Sequence, residues 1–114
     1  MHKRLDVWQM SIEFVTDIYQ FVRQFPNEEK YGLSDQLRRA SVSIPSNIAE
    51  GAARQSNKEF LQFLYIALGS CAEVETQLVI ARNLNFGDTQ NLVEKNDRIK
   101  RMILGLIKKR KSEE

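Results

Sequence analysis

The chain is poor in residues that cross-link, ligate or punctuate a fold. It has one cysteine, one histidine, one tryptophan, two prolines and five glycines in 114 residues. A lone Cys71 excludes an internal disulfide and suits a reducing, cytoplasmic setting. With His2 as the only histidine, far from Cys71 in sequence, no metal-ligand spacing exists. The carboxylate pairs Glu28/Glu29 and Glu73/Glu75 lack the i, i+3 spacing and the histidines of a di-iron bundle. A serine nucleophile would lack a base, since His2 sits at an N-terminus expected to be mobile. The chemistry of a cofactor or small-molecule enzyme is therefore not anticipated. No stretch approaches about 18 uninterrupted apolar residues, so no membrane span is anticipated. The start Met1, His2, Lys3, Arg4 has no apolar run behind it, which argues against a signal peptide.

What is present is ordinary for a soluble globular protein: 42% hydrophobic and 28% charged residues, with a net charge of +2. The length suits one domain, residues 1–114, large enough for a core without disulfides or metals. The charge is uneven. Lys95, Arg98, Lys100, Arg101, Lys108, Lys109, Arg110 and Lys111 stand against a single acid, Asp97, in that span. Such an end can meet an anionic partner, or can simply be a solvated helix end whose cations suit the helix dipole.

Apolar periodicity predicts four helices, at about 6–25, 33–50, 57–85 and 89–109, with 110–114 a frayed tail. The first carries two apolar seams about 100° apart. One runs Leu5, Trp8, Ile12, Val15, Tyr19, Val22, and the other Val7, Phe14, Ile18, Phe21, Phe25. Pro26 ends it, because the residue before proline leaves the helical region. The second has a narrow stripe, Leu37, Ala40, Ile44 and Ile48, with Gly51 as its expected stop. Ser56 and Glu59 form a capping box for the third, which is apolar on nearly every side from Phe60 to Ala72 and so is expected to be buried all round. Asp88 or Thr89 caps the fourth, striped by Leu92, Ile99, Met102, Ile103 and Leu106. Short connections between four helices imply an all-α, antiparallel up-down-up-down four-helix bundle. The first and third helices carry more apolar surface than one small interior can take, which predicts a homo-oligomer built through them.

Residues 38–51 are the most distinctive stretch, combining a helical apolar period with proline, arginine, serine, asparagine and glutamate. Proline inside a helix costs about 3 kcal/mol. Pro45 withholds the bond to the Ser41 carbonyl and predicts a bend, with Ser43, Ser46 and Asn47 placed to satisfy freed groups. Glu50 extends that polar cluster toward the third helix or another subunit. Arg38 and Arg39 point about 100° apart. One can pair with Asp35, Glu50 or a neighbouring subunit's acid, and at least one can contact phosphate. Arg54 and Lys58 flank the start of the third helix, a plausible phosphate site beside the plainer capping function. Lys100, Arg101, Lys108, Lys109 and Arg110 complete the candidate nucleic-acid contacts. Gly69 and Ser70 suggest close helix approach near Cys71, and the aromatics of the first and third helices read as core and not as a base-stacking platform.

Leu5, Asp6, Val7 and Trp8, then Phe25, Pro26, and Gln36 to Ala40 leading into Ser43 to Gly51, followed by Phe60, Leu64, Ala67, Gly69, Ser70 and Glu73, carry a resemblance. Over roughly residues 5–107 the chain resembles the 23S rRNA intervening-sequence protein family. The resemblance implies a four-helix bundle and no enzymatic reaction. It also implies a homopentamer and contact with RNA or DNA. The accessory variability proteins of diversity-generating retroelements, similar in fold, form barrel-shaped pentamers with a basic surface for nucleic acid. This chain is only mildly basic by comparison. The expected function is thus a non-enzymatic nucleic-acid-binding or ribonucleoprotein accessory module, with a protein-interaction scaffold as the alternative.

Overall fold

The computed structural model describes His2 and residues 5–113. Met1, Lys3, Arg4 and Glu114 lie outside the described residues, and with them the expectations about the basic start and the last residue of the tail. Four helices account for most of the described chain: α1 (Asp6–Val22), α2 (Leu33–Ala52), α3 (Asn57–Asn83) and α4 (Gln90–Ser112). A single 3-10 turn, Asn27–Glu29, interrupts the first connection.

The two ends of α3 show why the helix boundaries fall where they do. At its start the Glu59 N–H donates to Ser56 Oγ at 3.1 Å, one arm of the expected capping box. At its finish Asn85 turns left-handed with φ 61°. The Phe86 N–H then reaches the Ala81 carbonyl at 2.9 Å and the Asn85 N–H the Arg82 carbonyl at 3.0 Å, the two bonds of a Schellman close. α1 stops three residues before the expected Phe25. Ahead of Pro26 the chain tightens into i→i+3 bonds, Gln24 N–H to Phe21 O and Phe25 N–H to Val22 O. Phe25 is nonetheless buried, edge-on to Phe21 at 5.2 Å and against Phe86 at 5.0 Å. It seals the end of the bundle where both loops turn.

Cross-helix contacts define the topology. Along α1 and α4, Asp17 meets Lys95, while Leu5 and Val7 lie beside Leu106 and Lys109. Along α3 and α4, Asn57 meets Arg110 and Cys71 meets Asn96. Along α2 and α3, Ser43 meets Ser70 and Gly51 meets Phe60. Along α1 and α2, Tyr19 meets Arg38 and Trp8 shares a groove with Ala49. In each pair the residue number rises on one helix as it falls on the other. The arrangement is an antiparallel up-down-up-down four-helix bundle, 47 Å long and about 20 Å across.

The core takes the predicted stripe of α2 and the second seam of α1, while α3 contributes one face and α4 adds Ile107 and Asn96, with its expected Leu92, Met102 and Leu106 only partly buried. Phe14 and Ile18 of α1, Leu37, Ile44 and Ile48 of α2, Leu64, Val74 and Leu78 of α3, and Ile99 and Ile103 of α4 are all fully buried. Each such side chain contributes about 1.5–3 kcal/mol by leaving water. The two seams of α1 separate except at Val22, which belongs to the first seam yet is buried. Val7, Phe14, Ile18, Phe21 and Phe25 enter the core, whereas Ile12 and Tyr19 remain exposed.

Several expectations change. α3 is not buried on every side: Tyr65, Ile66, Val79 and Ile80 lie open, because a helix at the rim of a four-helix bundle faces only two neighbours. By length and composition α3 is also able to cross a bilayer, though its Phe60 to Ala81 stripe is taken up by the bundle core. Gly51 does not stop α2, which runs to Ala52. The tail is not frayed from 110: α4 stays helical to Ser112, tied by the bond from Asn57 Nδ2 to the Arg110 carbonyl at 2.8 Å. His2 is not loose either, since its ring stands edge-on to Trp8 at 5.0 Å.

Candidate nucleic-acid interface

α2 and its proline come first, since the most distinctive sequence lies there. α2 continues through Pro45, which is buried. None of Ser43, Ser46 or Asn47 takes the Ser41 carbonyl. Ser41 Oγ instead donates to the Arg38 carbonyl at 2.9 Å, and Asn47 Nδ2 donates to the Ser43 carbonyl at 2.8 Å. These bonds add second donors to carbonyls around the proline and tie each polar side chain to its own helix. Ser43 and Ser70 hydrogen-bond each other across the α2–α3 contact, with the Ala40 and Ile66 carbonyls also in reach. With one proton each, one hydroxyl donates across and the other back onto its own helix or along the same chain of bonds. Ser70, and not Gly69, therefore marks the close approach. Gly69 is exposed with nothing within 4 Å of where its Cβ would sit. Gly51 has a packing function: a Cβ there would lie 2.7 Å from Phe63 Cβ and 2.8 Å from Phe60 Cδ1.

Arg38 and Arg39 do not divide between an acid and solvent. Both attend Asp35, which precedes them by three and four residues: Arg39 Nε donates to Asp35 Oδ2 at 3.0 Å, and Arg38 Nη2 lies 4.0 Å from Asp35 Oδ1. Arg38 also donates to the Lys30 carbonyl at 3.0 Å and lies over Tyr19, so its task is local. Arg39 stays 81% exposed despite that pair. Glu50 is exposed and lies 4.0 Å from Arg54 instead of joining the serine cluster.

The antiparallel pairing of α3 with α4 does what the linear sequence hides. It brings the basic end of α4 against the start of α3. Arg54, Lys58, Lys108, Lys109, Arg110 and Lys111 thereby share one end of the bundle. Among the described residues, none pairs with Lys58, Lys108 or Lys109. Three of the cations lie on aromatic rings of α3. Arg54 Cζ is 4.8 Å from the Phe63 centroid, Arg110 Cζ is 5.0 Å from Phe60, and Lys111 Nζ is 5.8 Å from Tyr65. Reading these aromatics purely as core misses this. Phe63 is only half-buried and Tyr65 is 45% exposed. The signal that finds them is topological: antiparallel helices joined by a short loop set the first turns of one beside the last turns of the next.

Lys100 and Arg101 stand apart from this cluster, about 14 Å down α4 at 1.5 Å per residue, and Arg101 is paired with Asp97. Arg38 and Arg39 are about 20 Å from Gly51 along α2 by the same measure. The candidate contacts thus resolve into one gathered end and, apart from it, Lys100, a locally engaged Arg38, and Arg39 and Arg101, each paired with an acid of its own helix. Cys71 is fully buried, and burial pushes its thiol up to about 12 against an opposing pull from Lys100, so it is no nucleophile at neutral pH. Among the described residues, no three of His, Cys, Asp and Glu gather as metal ligands would.

Fold and surface together define a class: a small helical-bundle protein whose distinctive chemistry is a cationic, aromatic-backed end. The chain belongs to the 23S rRNA-intervening sequence protein family, whose model matches residues 3–105. The chain is similar to a crystal structure from Bacteroides thetaiotaomicron VPI-5482, a protein of unknown function from the S23 ribosomal protein family. The two share 26% identity with a TM-score of 0.80, over 90% of this chain and 98% of that one. No curated protein matches the sequence. The family is of unknown function, and nothing in its description is enzymatic.

Proposed function

We propose that this protein is a non-enzymatic, homo-oligomeric accessory module of the cytoplasm that binds RNA or DNA through the gathered basic end. What supports the reading is the convergence of Arg54, Lys58, Lys108, Lys109, Arg110 and Lys111, three of them held on rings. Phosphate-directed binding needs cations that are clustered, accessible and not already neutralised by acids. Lys58, Lys108 and Lys109 meet those conditions. A lone thiol as buried as Cys71 suits a reducing compartment. No cofactor or small-molecule substrate enters the reading.

The test is fluorescence anisotropy with single-stranded RNA, structured RNA and duplex DNA at rising salt. Neutralising about four phosphates gives a log–log salt slope near −3.6 on duplex DNA. Lys108→Gln with Lys109→Gln should flatten that slope by about two charges' worth. No binding to any of the three at low salt refutes the reading.

The proposed oligomer is supported by the apolar residues left open on α1 and α3, Ile12, Tyr19, Ile66 and Ile80, and by Leu84 just past α3. Family resemblance favours a pentamer. Light scattering should give a mass several times the 13.3 kDa chain, and Ile66→Lys with Ile80→Lys should lower it. A wild-type monomer at micromolar concentration refutes assembly. The same open faces favour the second reading, a scaffold for a protein partner. Capture of a partner that survives nuclease and high salt would select it.

A further inference from the structure

Between the end of α2, the start of α3 and the end of α4 lies a cavity of about 300 Å³, lined among others by Arg54, Ser56, Asn57, Phe60, Arg110 and Glu113. We infer that this cavity is a phosphate-monoester site that takes the phosphorylated end of a nucleic-acid strand. The inference rests on the nucleic-acid reading for the identity of the carrier. Its own basis is the construction of the cavity.

Two guanidinium groups from different parts of the chain line it, and each is set on a ring, Arg54 on Phe63 and Arg110 on Phe60. Attraction to the ring restrains each cation before any ligand arrives, which lowers the ordering cost of a contact. Arg110 is further located by its own backbone, whose carbonyl accepts from Asn57 Nδ2 at 2.8 Å. Its Nε–H and the neighbouring Asn57 Oδ1 are both buried without a hydrogen-bond partner. Folded proteins seldom leave such groups unmatched except where a water or ligand is missing or a function needs them. The Nη groups of the Arg110 fork, and not its occluded Nε, are the ones a phosphate in the cavity meets.

The cavity already holds an anionic oxygen. Glu113 lines it and lies 3.3 Å from Arg110 Nη1, with its side chain 46% exposed. Such an exposed pair is weak. The Glu113 carboxylate occupies the place of a ligand oxygen and gives way to a stronger anion. The other acid in play is Glu50, 4.0 Å from Arg54 Nη2. The N-terminal end of α3 adds a favourable dipole at the same edge.

Charge and volume select the ligand. A phosphate monoester carries about −1.5 to −2 near pH 7, against −1 for a diester within a strand, and so competes better than a diester for two guanidiniums that already face Glu113 and Glu50. A volume of about 300 Å³ is at the lower end for ligand pockets. That accommodates a terminal phosphate with its sugar.

The experiment compares one oligonucleotide in three forms: 5′-phosphorylated, 3′-phosphorylated and hydroxyl at both ends, titrated against the whole chain at fixed salt. At least one phosphorylated form should bind about tenfold tighter than the hydroxyl form, the order of one charge-assisted contact. Arg54→Gln and Arg110→Gln should each abolish that preference, while affinity for the hydroxyl form falls only as for loss of one cation. Glu113→Gln should enlarge the preference by removing the competing carboxylate. The preference should also grow as pH rises through about 6, where the second phosphate proton leaves. Circular dichroism checks that each variant folds. If Arg110→Gln does not, Arg54→Gln, on a side chain 46% exposed, carries the test. Binding that ignores the end group overturns the inference and leaves the nucleic-acid reading standing. Failure of every form to bind at low salt overturns both.

Discussion

Three helical glycines provide a test in which the same substitution has opposite signs. In α2, a Cβ on Gly51 would sit 2.7 Å from Phe63 Cβ and 2.8 Å from Phe60 Cδ1. Phe63 Cβ is bound to the backbone and cannot swing away, so α2 and α3 must separate or twist. Overpacking of this kind costs about 1–3 kcal/mol, and a contact to a backbone-anchored atom belongs in the upper half of that range. Ala is better than Gly in a helix by about 1 kcal/mol, which offsets part of the loss. Gly51→Ala should therefore lose about 1–2 kcal/mol, lowering the melting temperature by roughly 4–16 °C for a domain near this size. In α4, Gly105 has nothing within 4 Å of a built Cβ. Gly105→Ala keeps the propensity gain alone, about 0.4–1 kcal/mol of stabilisation. Gly69→Ala should behave likewise unless a second subunit covers it, because its site is equally open. Urea unfolding of the variants, read as free energies with unchanged slopes, decides the matter. Gly51→Ala as stable as the parent would refute the close packing of α2 on α3. It would also undercut the placement of Phe60 and Phe63, on which Arg110 and Arg54 rest.

Buried Asn96 donates to the Cys71 carbonyl at 3.0 Å while its Oδ1 is unpartnered. Asn96→Leu should raise stability in thermal melts by about 1–2 kcal/mol, since an unmatched buried acceptor is costly; a comparable loss would mean that the amide is fully satisfied. The Cys71 thiol is raised from 9.0 to about 12 by burial. The folded state then binds its proton more tightly than the unfolded state, so this contribution is complete below about pH 9 and is lost as pH rises from there toward 12, by up to about 1.4 kcal/mol per unit. Stability curves of the parent and Cys71→Ala should converge over that window, and parallel curves would contradict the burial. Native protein should likewise resist thiol reagents at neutral pH until it unfolds. Lys95 bridges α4 to Asp17 of α1 at 2.8 Å, with side chains 30% and 39% exposed. Lys95→Gln should cost at most about 1 kcal/mol, and less in high salt.

The sequence by itself determined the element count, the core stripes and the topology, because those depend on short-range periodicity and loop length. Phe14, Ile18, Leu37, Ile44, Leu64 and Ile99 repeat at helical spacing whatever surrounds them, and loops of a few residues leave antiparallel neighbours as the simple packing. Boundaries were less legible. Gly51 reads as a stop because glycine so often is one, yet its missing side chain serves a helix contact that no local pattern encodes. The tail reads as frayed because it is charged, and it stays helical because Asn57, distant in sequence, holds the Arg110 carbonyl. The charges show the same division. Composition revealed that cations crowd the last helix. Only tertiary structure decided that they meet Arg54 and Lys58, and that Phe60, Phe63 and Tyr65 lie beneath three of the gathered cations. Cation–aromatic stacking and ion pairing act over a few ångströms of space, and folding alone sets those distances.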